Sequence, residues 1–132
     1  MAKRQKKTKL QKSKEDNNSK YWRVKADKRW SEIVRSVGKC EICGSKDFLN
    51  AHHLISKKFK VHRHNLSNGL CLCCKCHVFD LKHSPHLAAI PFAIWMKKNR
   101  PSQYEWVERH SRMDKDVGHD YKRAFEDLSG KQ

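Results

Sequence analysis

Cys40-Glu-Ile-Cys43 and a later group of cysteines at 71, 73, 74 and 76 have spacings that let pairs of thiolates reach one ion. The tight turn of a two-residue gap allows this, and Gly44 relieves the crowded backbone after the first pair. Two such knuckles closing one loop supply four thiolates in a tetrahedron, the set zinc takes in closed structural sites. The second knuckle reads in two registers, Cys71 with Cys74 or Cys73 with Cys76, and spacing alone does not choose between them. Disulfides suit the pattern poorly. The paired cysteines are too close in sequence for ordinary bridges, and no signal peptide is readable, so a reducing compartment is expected.

Between the knuckles lies Ala51-His52-His53-Leu54-Ile55, and the second knuckle closes the run from Asn65 through Asn68 and Gly69 to His77. Histidines next to a structural metal can hold a second, exchangeable ion, because imidazole suits softer and more labile binding than four thiolates. The same residue type supplies a base that titrates near neutrality. Attack on a phosphodiester needs both: an ion to neutralise charge on the phosphate and the departing oxygen, and a base to activate water. A neutral imidazole must also offer the correct nitrogen, which a hydrogen-bonding partner such as an Asn amide can fix.

The ordered set of Cys40, Cys43, His53, Asn68, Cys73, Cys76 and His77 resembles the HNH endonucleases with the ββα-metal fold. The run from Asn68 to Asp80, Asn-Gly-Leu-x-Leu-Cys-x-x-Cys-His-x-Phe-Asp, is similar to the second half of that motif. The resemblance covers roughly residues 38 to 82. It implies a structural zinc held by Cys40, Cys43, Cys73 and Cys76, leaving Cys71 and Cys74 as small buried residues or idle thiols. It implies His53 as general base, Asn68 as the residue that holds the His53 ring, and His52 and His77 as ligands of a catalytic divalent ion. His52 stands where the family often has Asp. Losing that negative charge disfavours hard Mg²⁺ and favours Mn²⁺, Ni²⁺ or Zn²⁺. Adjacent strand residues point to opposite faces, so which of His52 and His53 is base and which is ligand stays open. His83 or His86 could complete the metal shell, and Asn65 is the second choice for the asparagine role. His110 and His119 receive no role. The resemblance further implies metal-dependent DNA hydrolysis leaving 5′-phosphate and 3′-hydroxyl ends. One metal site makes one cut, so a monomer nicks, and double-strand cleavage needs two copies. The chain's make-up is similar to small free-standing HNH proteins of bacteriophages and prophages, which implies the cytoplasm of a bacterial host. A zinc-folded nucleic-acid-binding module without catalysis is the competing expectation.

The remaining residues must position these groups and meet the substrate. The chain has 132 residues, with 30 Lys and Arg against 14 Asp and Glu, a net charge of +16. Such an excess implies a polyanionic partner, DNA before an acidic membrane, because each neutralised phosphate releases a counterion. Lys57, Lys58, Lys60, Arg63 and Lys75 lie closest to the histidines and are the expected DNA contacts. Duplex, branched and single-stranded DNA all remain open, as does the oligomeric state. Only 37% of residues are hydrophobic, and the longest apolar run, Leu87 to Met96, is broken by Pro91. No bilayer span is expected.

Residues 1–20 are lysine-rich with almost nothing apolar, and read as a disordered basic arm. Residues 21–37 predict a helix, with Trp30, Ile33, Val34 and Val37 at i, i+3, i+4 and i+7 and Gly38 after its end. Residues 38–86 hold all six Cys and seven of the nine His. Their apolar residues are too scattered for a conventional core, so a metal is expected to fold them. Residues 87–132 predict a helical extension: one helix opened by Pro91, a second opened by the capping-box pattern Ser102-Gln-Tyr-Glu105, and a third carrying Tyr121, Ala124, Phe125 and Leu128. The four tryptophans sit at helical spacing among apolar residues, which favours packing over base stacking. The expected fold is a small α+β domain, a ββα-metal finger flanked by N- and C-terminal helices.

Overall fold

A computed structural model describes residues 3–111 and 119–130. The expected helical extension therefore has residues 112–118 and 131–132 outside the described part. The architecture is small and mixed α+β. Helices α1 (Lys9–Glu15) and α2 (Lys20–Arg35) precede strand β1 (Leu49–His53). Strand β2 (Gly69–Cys73), a π-helical turn (Lys75–Phe79), α3 (Ala89–Asn99), α4 (Pro101–His110) and α5 (Tyr121–Ser129) follow. The two strands pair antiparallel, with His52 opposite Leu70 and His53 opposite Gly69. No described helix is long and apolar enough to cross a membrane.

Each face of this hairpin is covered by a different helix set. Alternation along β2 sends Leu70 and Leu72 into a cluster with Phe92 and Met96 of α3 and with Cys40, Cys73 and Cys76. The opposite face of β2 carries Cys71, which packs with Trp30 and Val34 of α2 and Leu128 of α5. The predicted stripe on α2 is thus a core stripe through Trp30 and Val34, whereas Val37 lies beyond the helix and is exposed. Gly38 takes a left-handed φ of 79° and its N–H bonds back to the Arg35 carbonyl, closing the helix end.

The segment expected to be a disordered arm departs from that expectation, since residues 9–15 are helical. Thr8 and Gln11 form a reciprocal capping box, with Gln11 N–H donating to Thr8 Oγ1 at 3.1 Å and Thr8 N–H donating to Gln11 Oε1 at 2.7 Å. The helix buries none of its residues and is held to α2 through polar contacts. Ser19 donates to the Ser13 carbonyl and the Trp22 indole donates to the Lys14 carbonyl. The capping box expected at Ser102–Glu105 is likewise replaced. The helix begins at Pro101, with Arg100 as its N-cap and no side-chain cap bond. Proline suits this first position because its fixed φ is already helical and its missing N–H would have no helical partner. Pro91 falls inside the first turn of α3, two residues after the helix begins.

Gly69 sets the distance between α2 and the sheet. A Cβ built there would lie 2.5 Å from a Val34 methyl and 3.0 Å from the Trp30 ring. The absence of a side chain therefore lets α2 seat Trp30 beside the end of β1. We expect Gly69→Ala to destabilise the fold by about 1–3 kcal/mol, the usual range for overpacking a filled core. A urea titration reads this directly, and an unchanged midpoint would contradict so tight a contact.

Candidate functional site

The first ligand cluster arises from two turns brought together by the hairpin. The Sγ atoms of Cys40, Cys43, Cys73 and Cys76 lie within 4.8 Å of one another, so the four could hold a metal ion such as zinc. Of the two registers that spacing allows, the structure brings Cys73 and Cys76 into the cluster. Cys71 is buried in the α2-facing core instead, and Cys74 is half-buried outside the cluster. Glu41 docks the first knuckle on β2. Its N–H donates to the Cys71 carbonyl at 2.9 Å and its Oε2 accepts the Cys71 N–H at 2.8 Å.

The sulfurs do not share one environment. Burial opposes ionisation of Cys40, but backbone N–H groups of the knuckles overcome it and hold its thiol at about 7. Burial and the neighbouring sulfurs push Cys76 well above the ordinary thiol range, and burial also raises Cys73. Several thiolates crowded this closely repel one another unless a cation lies between them, which is the chemistry of a four-thiolate site.

The second cluster forms at the mouth of a cleft of about 640 Å³ lined by His52, His53, Lys57, His77, His86 and Phe92 among others. His52 Nδ1 and His86 Nε2 each lie 3.0 Å from His77 Nε2. Nitrogens bound to one ion at about 2.0–2.1 Å stand roughly 3.0–3.4 Å apart, so this spacing fits a shared ion. Burial, reinforced by the charges of His77 and His86, pulls His52 down to about 3, and burial also lowers His77. Both rings are therefore neutral at pH 7 and offer lone pairs. Of the two histidines considered for completing this shell, the structure brings in His86. His83 turns instead toward the sulfur cluster and Asp80, its Nε2 lying 3.4 Å from Cys76 Sγ.

His52 and His53 leave β1 on opposite faces, as strand geometry requires, yet both line the cleft because the strand ends there. His53 stacks on Trp30, with ring centroids 3.9 Å apart and planes 12° apart. Its Nε2 donates to the Arg63 carbonyl at 2.9 Å, since only the protonated nitrogen can face a carbonyl oxygen. In the neutral ring this leaves the lone pair on Nδ1. Burial lowers the His53 pKa against the opposing hydrogen bond to Arg63.

Asn68 does not hold the His53 ring, contrary to expectation. It is fully buried and ties the loop between the strands to itself. Its Oδ1 accepts the Ile55 N–H at 2.6 Å, while its Nδ2 donates to the Ile55 carbonyl at 3.0 Å and the His62 carbonyl at 3.1 Å. A side chain with both donor and acceptor can bridge two loop segments in this way, and a backbone carbonyl takes over the ring contact. Asn65 uses its side-chain oxygen to cap the short 3-10 turn before β2, accepting the Ser67 N–H at 2.9 Å.

The expected DNA-contact residues divide. Lys57 lies on the cleft rim, and Lys58 and Lys75 are exposed. Lys60 is exposed beside a separate cleft against α5. Arg63 is not presented as a free cation, because Asp27 takes its Nε at 2.8 Å and its Nη2 at 2.7 Å. Asp27, Gln103 and the stacking of Trp30 on His53 were missed by reasoning from motif spacing. Gln103 donates to the Ser67 and Gly69 carbonyls and so docks α4 on the start of β2. No protein-family model, curated protein or solved structure matches this chain.

Two measurements check the two clusters. Cys40→Ser should abolish stoichiometric zinc binding and the cooperative melt of the central segment, because metal binding there is folding energy; retained zinc and an unchanged melting curve would contradict this. His86→Ala should weaken Mn²⁺ or Ni²⁺ binding at least on the order of tenfold, the lower end of what losing even a supporting partner costs. Calorimetry on the zinc-loaded protein gives the answer.

Proposed function

We propose that the chain is a metal-dependent DNA endonuclease of the HNH type, built on a ββα-metal finger with a structural zinc. The observation that carries this reading is the cleft in which His52, His77 and His86 converge while His53 is held by its Nε2–H and its Nδ1 has no hydrogen-bond partner among the described residues. A divalent ion held by the three rings would neutralise charge on the phosphate and on the departing 3′ oxygen. His53 Nδ1 takes the proton of the attacking water. The Arg63 carbonyl keeps the opposite nitrogen protonated, so the correct tautomer is ready before substrate arrives. As His53 becomes cationic, the stacked Trp30 face favours that charge.

A ligand set of imidazoles alone supports Mn²⁺, Ni²⁺ or Zn²⁺ over Mg²⁺ as the working ion. Lys57 at the rim and the exposed lysines beyond it supply phosphate contacts, which fix the duplex or branched substrate without reading its sequence. One such histidine cluster among the described residues supports nicking by the monomer.

The test is plasmid nicking by the zinc-loaded protein across Mg²⁺, Mn²⁺ and Ni²⁺, with EDTA as control. We expect metal-dependent nicks that His53→Ala removes while leaving zinc content and DNA retention intact. Gel retardation without nicks under every ion would identify a binding module instead. Because the His53 pKa lies below the ordinary 6.5, the nicking rate should hold level above that value and fall only as more acid pH protonates Nδ1. Deleting residues 1–14 should reduce DNA affinity and flatten its dependence on salt, read from binding isotherms at several ionic strengths.

A further inference from the structure

Helix α2 lies outside the motif yet reaches the candidate base from behind. Asp27 and Trp30 are three residues apart, hence on one face of the helix, and both meet the loop of residues 62–65. The Asp27 carboxylate receives three donors. Arg63 Nε and Nη2 bind it in a two-point fork at 2.8 and 2.7 Å, and His64 Nε2 lies 2.7 Å from Oδ1. The Trp30 indole donates to the Asn65 carbonyl at 2.9 Å. The side chains of Arg63 and His64 are 16% and 6% exposed and that of Asp27 is 34% exposed, so this is a half-buried anchor and not a fully solvated ion pair.

The position of that anchor matters because the peptide carbonyl of Arg63 is the group that accepts the His53 Nε2–H. A backbone carbonyl fixes a tautomer only if its own peptide plane cannot rotate. The side chains on both sides of that peptide, Arg63 and His64, end on the same carboxylate. We infer that Asp27 is a positioning residue for His53, acting through the Arg63 peptide without touching the ring. The inference rests on His53 being the base in the proposed reaction. Asp27 is suited to the task because three donors converge on two carboxylate oxygens. An amide in its place has one oxygen and turns an N–H₂ toward a donor, so at least one of the three contacts is lost.

The experiment uses the full-length zinc-loaded protein and compares wild type with Asp27→Asn. Single-turnover nicking and DNA Kd are measured separately, and the ring nitrogens of His53 are followed by ¹⁵N–¹H correlation at pH 8 without added catalytic ion. We expect the nicking rate to fall on the order of tenfold to hundredfold, as for loss of a supporting partner. Zinc content and Kd should stay unchanged. The His53 spectrum should move from a single Nε2–H tautomer toward a mixture of both. Arg63→Met removes the same anchor from the other side and should reproduce the spectral change. If Asp27→Asn fails to fold, this second variant decides. An unchanged His53 tautomer with an unchanged rate would overturn the inference. So would a rate loss matched by lost zinc or by weaker DNA binding, since that marks a purely structural role. Wild-type protein that never nicks overturns the endonuclease reading instead, and the spectral comparison still decides whether Asp27 orients the ring.

Discussion

Four sulfur atoms within 4.8 Å of one another join a turn at residue 40 to a turn at residue 76. The pairing of β1 with β2 and the two hydrogen bonds between Glu41 and Cys71 make the same closure. The apolar residues of the surrounding segment are few, and the leucines of β2 pack on Cys40, Cys73 and Cys76 as much as on one another. The sulfur cluster is therefore part of the core. It lies at the end of the ladder that pairs Leu49 with Cys73, and that register places His52 opposite Leu70 and His53 opposite Gly69.

From this closure follow two faces with different duties. The face toward α3 holds His52 beside Phe92 and within reach of His77 and His86. The face toward α2 holds His53 flat against Trp30. The alternation that made a shared site look difficult is real, but it operates at the last two residues of a short strand. There both rings overhang the same opening. One ring turns its nitrogen to two others, and its neighbour turns one nitrogen to a carbonyl and leaves the other uncommitted.

Local spacing carried the reading some distance. The stripe on α2, the helix with Tyr121 and Leu128, and the existence of a four-cysteine cluster are visible in residues separated by one or two turns. The choice of Cys73 and Cys76 over Cys71 and Cys74 was not visible in spacing, since both pairs have the same gap; resemblance supplied it. Partners distant in sequence were invisible for a plainer reason. Arg63 looked like a phosphate contact because it lies beside the histidines in sequence, whereas its carboxylate lies 36 residues earlier on α2. Asn68 was placed near His53 by motif order, but a buried amide goes where backbone groups lack partners, and those belonged to Ile55 and His62. The helix at residues 9–15 hid behind its lysines, because composition outweighed the single Thr8–Gln11 signature that starts it.

One peptide bond separates Cys76, a member of the sulfur cluster, from His77, the nitrogen that both other rings approach. Chain connectivity thus joins two clusters that share no residue. A change at the Cys76 thiol therefore acts on the residue next to His77. The imidazole cluster is thereby tied to thiols whose own chemistry is that of oxidation and alkylation.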